Sequence, residues 1–262
     1  MKVACIQLTT KKDYNENFKK IINFINEAFK KNADLVITPE TSSIMTDEKK
    51  NLYKYSFQME DDPLVKECKK ISRKYQKWIL IGSIIIKFKN KLRNRSIMLN
   101  PQGKIVNFYD KINMFDINIP NGEKHQESKT YKAGKRLVTI KLPWGKIGLS
   151  ICYDVRFPEL YRKLSKRNIS FISVPSAFTQ FTGQKHWIAL LKARAIENFA
   201  YVFAPNQYGK NTPTRKTYGH TVIISPDGNI LRIKKKGEGI IYSIIDTELP
   251  KKLRNLIPSS YK

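Results

Sequence analysis

Short apolar runs alternate with amphipathic segments along the first third of the chain. Residues 2–8 (KVACIQL) and 33–40 (ADLVITPE) predict buried strands, and residues 13–30 between them place apolar side chains on one face at helical spacing. A second helix is predicted from about Asp62 to Gln76, with Cys68 on its apolar face. Cys68 is therefore expected in the core.

The same alternation continues to the end of the chain. Further strands are predicted at 78–88, 137–152, 169–178, 201–207 and 239–246, and hairpins at 96–111 and 220–236. Helices are predicted from Pro158, whose fixed φ suits a first turn, and over 184–200. Residues 118–134 are a polar loop by this pattern.

The order of elements occurs twice. The hairpin SIMLNPQGKIVNFYDK (96–111) overlays TVIISPDGNILRIKKK (221–236), and LVITPE (35–40) resembles FISVPS (171–176). Each half supplies a sheet with helices on one face, and the other face must also be covered. The pattern predicts an α/β fold, a four-layer α–β–β–α sandwich of two pseudo-equivalent halves. No linker separates the halves, so we expect one domain over residues 1–262.

Composition excludes few functions. A hydrophobic content of 41% supports a packed core, and no segment is long and apolar enough to span a membrane. Three cysteines without a metal-type spacing, and no signal peptide, indicate a cytoplasmic protein with reduced thiols.

The net charge of +27 raises nucleic-acid binding as an alternative function. The lysines are spread over all helices and loops, so we favour a solvated surface and expect neither a nucleic-acid nor a membrane partner.

Three predicted strands end in ionisable residues, namely Glu40, Lys111 and Cys152. Carboxyl ends of strands are where α/β folds collect catalytic groups. A cysteine needs a base or a positive charge to become a nucleophile. Glu40 is the candidate base, and Lys111 and the Tyr153 N–H are candidate donors to an oxyanion.

These residues and their flanks (TPE, YDKINMFD and CYDVRFPEL) resemble the nitrilase, or carbon–nitrogen hydrolase, superfamily, whose triad is Glu, Lys and Cys. The resemblance covers nearly all of residues 1–259. It implies the four-layer sandwich, homodimers, and hydrolysis of an amide to an acid and ammonia through a thioester, without metal or cofactor. Glu127 in HQESKT corresponds to the family's second active-site glutamate. Asn113 stands where the family usually has His.

Within the superfamily, PSAFTQFTGQKHW and YGHTVIISPDG are most similar to the Nit branch. They resemble its deaminated-glutathione amidases more than its omega-amidases, which implies a small amide substrate carrying a carboxylate. The substrate order from this resemblance is deaminated glutathione first and omega-amides of keto acids second.

Other residues are candidates for substrate binding. Arg156 follows the elbow, and a loop after a strand end holds Phe178, Thr179 and Thr182. The cation for the substrate carboxylate stays open between Arg156, Arg194 and a loop lysine.

Several of these positions also have structural interpretations. We expect Asp154, Arg156 and Glu159 to form a buried salt-bridge set that shapes the elbow. His186 and Trp187 either line the pocket or, for His186, form a hydrogen-bonded core group.

Overall fold

Two six-stranded sheets form the centre of this computed structural model, which describes residues 1–118 and 124–258. The strands of the described residues are β1 (Lys2–Gln7), β2 (Leu35–Ile37), β3 (Trp78–Phe88), β4 (Lys91–Leu99), β5 (Ile105–Asp110), β6 (Asp116–Asn118), β7 (Lys124–Gln126), β8 (Thr139–Leu142), β9 (Gly145–Leu149), β10 (Phe171–Ser173), β11 (Tyr201–Ala204), β12 (Tyr208–Lys210), β13 (Lys216–Tyr218), β14 (Thr221–Ile224), β15 (Ile230–Lys234) and β16 (Gly239–Ile244). The α-helices are α1 (Tyr14–Lys30), α2 (Lys49–Lys54), α3 (Pro63–Tyr75), α4 (Pro158–Ser165), α5 (Gln180–Asn198) and α6 (Leu249–Leu256).

The two sheets have the same topology. The first has the order β16-β1-β2-β3-β4-β5 and the second β8-β9-β10-β11-β14-β15. In each sheet an antiparallel edge strand precedes three parallel strands, and an antiparallel hairpin follows them. The predicted equivalence of the halves is confirmed, with one exchange: the edge strand β16 of the first sheet comes from the end of the chain.

The sheets and helices form four layers. Ile25 of α1 and Cys68 of α3 pack with Ile79 on the outer face of the first sheet. Between the sheets, side chains such as Leu80 and Val202 share a second core, which continues to α4 and α5 on the far side. The α–β–β–α sandwich predicted from the sequence is therefore confirmed, and Cys68 lies in the core as predicted.

Local signals position the two longest predicted helices of the first half. Asp13 caps α1 by accepting from the Glu16 N–H, and Asp62 caps α3 by accepting from the N–H groups of Leu64 and Val65. Pro63 then occupies the first helical position.

Some short elements were not predicted. Helices α2 and α6 span six and eight residues of lysine-rich sequence, too short for a clear periodicity. The predicted polar loop 118–134 contains strand β7 and a 3₁₀ turn, and its residues 119–123 lie outside the described part.

Glycine is required where the two halves touch. A Cβ on Gly82 would lie 1.7 Å from the Thr38 carbonyl oxygen and 2.6 Å from Pro175 Cβ. Thr38 and Pro39 precede Glu40, and Pro175 is the counterpart of Pro39 when residues 171–176 are overlaid on residues 35–40. Gly82 therefore lets the ends of β2 and β10 approach each other, which brings the strand ends of both halves into one site.

No helix within the described residues is long and apolar enough to cross a membrane.

Candidate active site

The ends of strands from both sheets meet at one buried cluster. Glu40 follows β2 and Lys111 follows β5 in the first sheet, whereas Cys152 follows β9 in the second. Glu127 lies on the 3₁₀ turn after β7. The face-to-face sheets thus bring together all four residues that the sequence identified.

Lys111 is the centre of this cluster. Its ammonium lies 2.9 Å from Glu40 Oε1 and 2.8 Å from Glu127 Oε2, and its side chain is 2% exposed. Two of the three N–H donors of an ammonium are occupied by these carboxylates. One donor is left for a bound ligand, although Glu127 Oε1 at 3.1 Å competes for it.

Glu40 is held by hydrogen bonds at both carboxylate oxygens. Oε1 also accepts from Asn94 Nδ2 at 2.8 Å, and Oε2 accepts from the Ala177 N–H at 2.8 Å. The Cys152 thiol lies next to the same carboxylate, and the two groups interact electrostatically. Glu40 is therefore placed to receive the thiol proton with little movement.

Cys152 lies on a sharp elbow between strand and helix. Its φ of 49° is in the left-handed region, which is uncommon for a residue with a side chain. The Cys152 N–H donates to the Pro175 carbonyl at 3.0 Å, and a 3₁₀ turn begins at this residue. Strained backbone of this kind is concentrated at functional sites.

Burial and charge fix the protonation states of the resting cluster. Burial opposes ionisation of Glu40, but the charges of Lys111 and Arg215 outweigh it and hold the pKa of Glu40 below its ordinary value. Burial likewise opposes the charge of Lys111, but Glu127 and Glu40 raise its pKa well above the ordinary value. Burial and then the Glu40 charge raise the pKa of Cys152. At rest, Cys152 is therefore a thiol, Glu40 a carboxylate and Lys111 an ammonium.

The Tyr153 N–H has no acceptor among the described residues. It follows Cys152 directly in the chain, so it is available to a ligand at the thiol. The Tyr153 ring packs edge-on against Phe115 and Phe157.

The predicted salt-bridge set after the elbow is not formed. Asp154 is fully buried, and its partners are the neutral donors of Ile151, Tyr109 and Asn113. Burial raises its pKa despite these hydrogen bonds. No acid among the described residues forms an ion pair with Arg156, whose guanidinium instead lies over the rings of Tyr153 and Phe178 and 3.2 Å from His186 Nδ1.

Phe178 and Thr179 lie in the loop after β10, whereas Thr182, predicted in the same loop, lies in the first turn of α5; all three are buried. Phe178 packs against Trp187 with ring centroids 4.9 Å apart, and the hydroxyls of Thr179 and Thr182 lie 3.1 Å from each other. Trp187 is a core residue whose Nε1 donates to the His220 carbonyl. His186 is exposed, so it is not the core group considered from the sequence.

Arg194 is already paired with other groups of the protein. It forms a 2.7 Å ion pair with Glu197 and donates to the Val155 carbonyl at 3.0 Å. Its candidacy as the cation for a substrate carboxylate was therefore wrong.

A cleft of about 600 Å³ opens onto the cluster. Glu40 and Glu127 form part of its wall, together with Tyr131 and Arg215, and Lys49 lies on its lining. Its volume is within the usual range for a small-molecule site.

Two residues that contact the cluster or its cleft were not predicted from the sequence. Asn94 Nδ2 lies 2.8 Å from Glu40 and 3.3 Å from Glu127. Arg215 lies on the turn between β12 and β13, a ladder that was not predicted. Asn94 lies among the polar and charged residues in the first half of β4 (KLRNRSIML), and Arg215 lies in a turn that was not predicted, so neither residue had a local sequence signal.

The chain is similar to known proteins over nearly its whole length. Residues 2–255 match the family model described as carbon-nitrogen hydrolase. A Synechocystis protein named deaminated glutathione amidase is 35% identical over 98% of this chain and 95% of its own length. Omega-amidase NIT3 of Saccharomyces cerevisiae is 33% identical over 98% of this chain and 91% of its own length.

Solved structures show the same fold. The crystal structure of Saccharomyces cerevisiae Nit3, a member of branch 10 of the nitrilase superfamily, has a TM-score of 0.89 at 28% identity and covers 100% of this chain and 96% of its own. The Caenorhabditis elegans NitFhit protein has a TM-score of 0.92 at 33% identity. That match covers 98% of this chain, which spans only 63% of the NitFhit chain. On sequence and structure together, this chain belongs to the carbon–nitrogen hydrolase family.

Proposed function

We propose that this protein is a cysteine-dependent amidase that hydrolyses a carboxylate-bearing amide through a thioester on Cys152. One observation carries the proposal: a buried ammonium, Lys111, joins Glu40 and Glu127 beside the thiol of Cys152, on which the charge of Glu40 acts. The family membership of the chain supports the same chemistry.

The first half of the reaction forms the thioester. Cys152 sulfur attacks the amide carbon while its proton passes to Glu40, because neither a free thiolate nor a protonated Glu40 is favoured at rest. The resulting oxyanion receives hydrogen bonds from Lys111 and the Tyr153 N–H. Glu40 then gives its proton to the departing nitrogen, the carbon–nitrogen bond breaks, and an acyl thioester of Cys152 remains.

The second half reverses these roles. Glu40, again a carboxylate, takes a proton from water as the water oxygen attacks the thioester carbon. The same two donors stabilise the second oxyanion. Cys152 leaves as the carbon–sulfur bond breaks and recovers its proton from Glu40, and the acid product is released. The steps use side chains, the Tyr153 N–H and water, so the proposed mechanism invokes no metal and no organic cofactor.

Glu127 holds Lys111 in this scheme. Its carboxylate accepts from Lys111 and also from the Phe115 N–H at 2.6 Å. Together with Glu40 it therefore holds the ammonium in place and keeps it charged.

Deaminated glutathione is the substrate we favour, because several of the relatives carry that activity in their names. In this compound the amide nitrogen belongs to cysteinylglycine, so the leaving group is a dipeptide amine rather than the ammonia expected from the sequence. Arg156, which has no acidic partner among the described residues, would bind the keto-acid carboxylate beside the ring of Phe178. Thr179 and Thr182 would support this wall.

An omega-amidase acting on alpha-ketoglutaramate is the second candidate, since a relative of similar identity has that name. The chemistry at Cys152 is the same, and only the leaving group differs. Nucleic-acid binding driven by the net charge is the alternative outside enzymology. It predicts binding that weakens steeply with salt.

We further propose that residues 1–262 form one carbon–nitrogen hydrolase domain, that the protein is a homodimer, and that it is cytoplasmic. The three cysteines are free, which fits a reducing compartment. Size-exclusion chromatography with light scattering tests the dimer.

The function is tested with three amides: deaminated glutathione, alpha-ketoglutaramate and the neutral butyramide. The expected order of kcat/KM is deaminated glutathione first and butyramide last, by about tenfold or more for each missing carboxylate contact. Equal turnover of butyramide would reject the carboxylate requirement. Preference for alpha-ketoglutaramate would make the enzyme an omega-amidase.

A further inference from the structure

Arg215 is held rigidly at the edge of the cleft. Its N–H donates to Thr212 Oγ1 at 3.0 Å, and its carbonyl accepts from the Asn211 N–H at 3.0 Å. Asn211 is in turn anchored to the Thr10 carbonyl and to the Thr217 hydroxyl. The backbone of this turn is therefore fixed by the body of the protein.

The guanidinium of Arg215 has few partners inside the protein. Nη2 donates to the Ala177 carbonyl at 2.9 Å, whereas Nε is buried without a hydrogen-bond partner. No acid among residues 1–118 and 124–258 lies within ion-pair distance of it. Arginine has five N–H donors, and leaving a buried donor unpaired is unfavourable. The side chain is thus poised for an acceptor that is not part of the chain.

Arg215 and Glu40 are joined through one residue. Ala177 donates its N–H to Glu40 Oε2 at 2.8 Å and accepts from Arg215 with its carbonyl at 2.9 Å. Both side chains also line the same cleft. A group bound by Arg215 is therefore separated by only one residue, Ala177, from the Glu40 carboxylate that accepts and returns the proton.

The direction of proton transfer decides which end of the substrate lies there. Glu40 must reach the departing nitrogen to protonate it, so the leaving group lies on the side of the cleft that Glu40 faces. Arg215 lines that side. Arg156 does not line this cleft but contacts Tyr153 and Phe178, beside the thiol.

We propose that Arg215 is a specificity-determining residue that binds a carboxylate on the leaving-group part of the substrate. Its planar fork suits bidentate pairing with such a group. The enzyme then selects amides whose departing amine carries an anionic group, as cysteinylglycine does, over primary amides that release ammonia. This inference rests on the proposed amidase function and deepens it.

The test combines an enzyme change with a substrate change. Arg215→Met removes the charge at similar length, and Arg215→Lys keeps a charge without the fork. The substrates are deaminated glutathione, its C-terminal carboxamide, and alpha-ketoglutaramate, which has no carboxylate on its leaving group. Arg232→Gln serves as the control, because Arg232 is exposed on β15 and its substitution lowers the net charge as much as Arg215→Met does.

For deaminated glutathione we expect Arg215→Met to lower kcat/KM about 10- to 100-fold, mainly through KM, and Arg215→Lys to lower it less. For the wild type, kcat/KM should be lower for the carboxamide than for deaminated glutathione by about the same factor. Arg215→Met should hydrolyse deaminated glutathione and its carboxamide with similar kcat/KM. Its kcat/KM for alpha-ketoglutaramate should differ from that of the wild type by less than about threefold.

Equal losses of kcat/KM for all three substrates would overturn the inference and show that Arg215 only holds Ala177 in position. The inference would also be overturned if Arg215→Met and the loss of the substrate carboxylate lowered kcat/KM independently, so that the two fold-changes multiplied. If the wild type hydrolyses none of these amides, the proposed function itself fails, which is a separate result.

Discussion

The side-chain amide of Asn113 donates a 2.8 Å hydrogen bond to Asp154 Oδ1, which also accepts the Asn113 N–H at 3.0 Å. The other oxygen of Asp154 accepts from the Tyr109 hydroxyl and the Ile151 N–H. Tyr109 and Asn113 flank Lys111, and Ile151 precedes Cys152. Asp154 therefore ties the segment that carries the ammonium to the elbow that carries the thiol.

This tie predicts that Asn113 acts on catalysis by positioning. Asn113→Ala removes the 2.8 Å bond and should lower kcat about ten- to a hundredfold, with KM changed far less, because small displacements of reacting groups are costly. Steady-state kinetics measure this. Asn229→Ala, a change of an exposed asparagine on the distant β14–β15 hairpin, should leave kcat unaltered. An unchanged kcat in Asn113→Ala would show that Asp154 holds the elbow without it.

Cysteine labelling should single out Cys152. Cys5 and Cys68 are fully enclosed in the two cores, whereas Cys152 lies at the cluster beside Glu40. Iodoacetamide followed by peptide mass mapping should therefore modify Cys152 first, in step with loss of activity. Earlier labelling of Cys68 would contradict this assignment.

The pH profile of kcat/KM should lack an acid limb at the usual position for glutamate. Glu40 must be a carboxylate to accept the thiol proton, and Lys111 and Arg215 hold its pKa below the ordinary value despite burial. Activity should therefore persist as the pH falls to the ordinary glutamate range and decline only below it. Arg215→Met removes one of these charges and should move the limb to higher pH. A limb near neutral pH in the wild type would contradict a charged resting Glu40.

Much of the site was accessible from the sequence because its residues lie at the ends of strongly apolar strands. Glu40, Lys111 and Cys152 stand out by that position, and the repeat of the hairpins indicated the paired sheets. Asn94 and Arg215 were missed for a different reason. They reach the cluster or its cleft only through the pairing of β4 and through the β12–β13 turn, which are tertiary features without a local signal.

The ion pairs after the elbow were predicted wrongly for a related reason. Charges of opposite sign close in sequence suggest a salt bridge, and Asp154 and Arg156 are two residues apart. The 3₁₀ turn instead directs Asp154 inward to four neutral donors and Arg156 toward aromatic rings. Burial of Asp154 therefore depends on hydrogen bonds that only the fold supplies.

Asp62 should make stability depend on pH. It caps α3 through Oδ1 while Oδ2 is buried without a partner, and burial raises its pKa to about 6. Because the folded state binds this proton more tightly than the unfolded state, the contribution is present at low pH and is lost as the pH rises through about 6. Asp62→Asn keeps the cap.

Chemical denaturation at pH 4 and pH 7 measures this effect. Relative to the wild type, Asp62→Asn should gain stability as the pH rises over that interval, by at most about 3 kcal/mol. An Asp13→Asn variant is the matched control, since Asp13 caps α1 at an exposed position. A constant difference between Asp62→Asn and wild type would show that Asp62 titrates normally.

Cys152 forms the covalent intermediate in the proposed mechanism, so the turnover of deaminated glutathione by Cys152→Ala is the decisive measurement. Release of alpha-ketoglutarate is measured for the wild type, for Cys152→Ala and for Cys68→Ala, with folding checked by circular dichroism. We predict that Cys152→Ala loses about 10³-fold or more of kcat while remaining folded, because the nucleophile is gone. Cys68→Ala should lose stability but keep its nucleophile and hence its turnover while folded. A folded Cys152→Ala protein that still turns over the amide at a rate near that of the wild type would show that Cys152 is not the nucleophile.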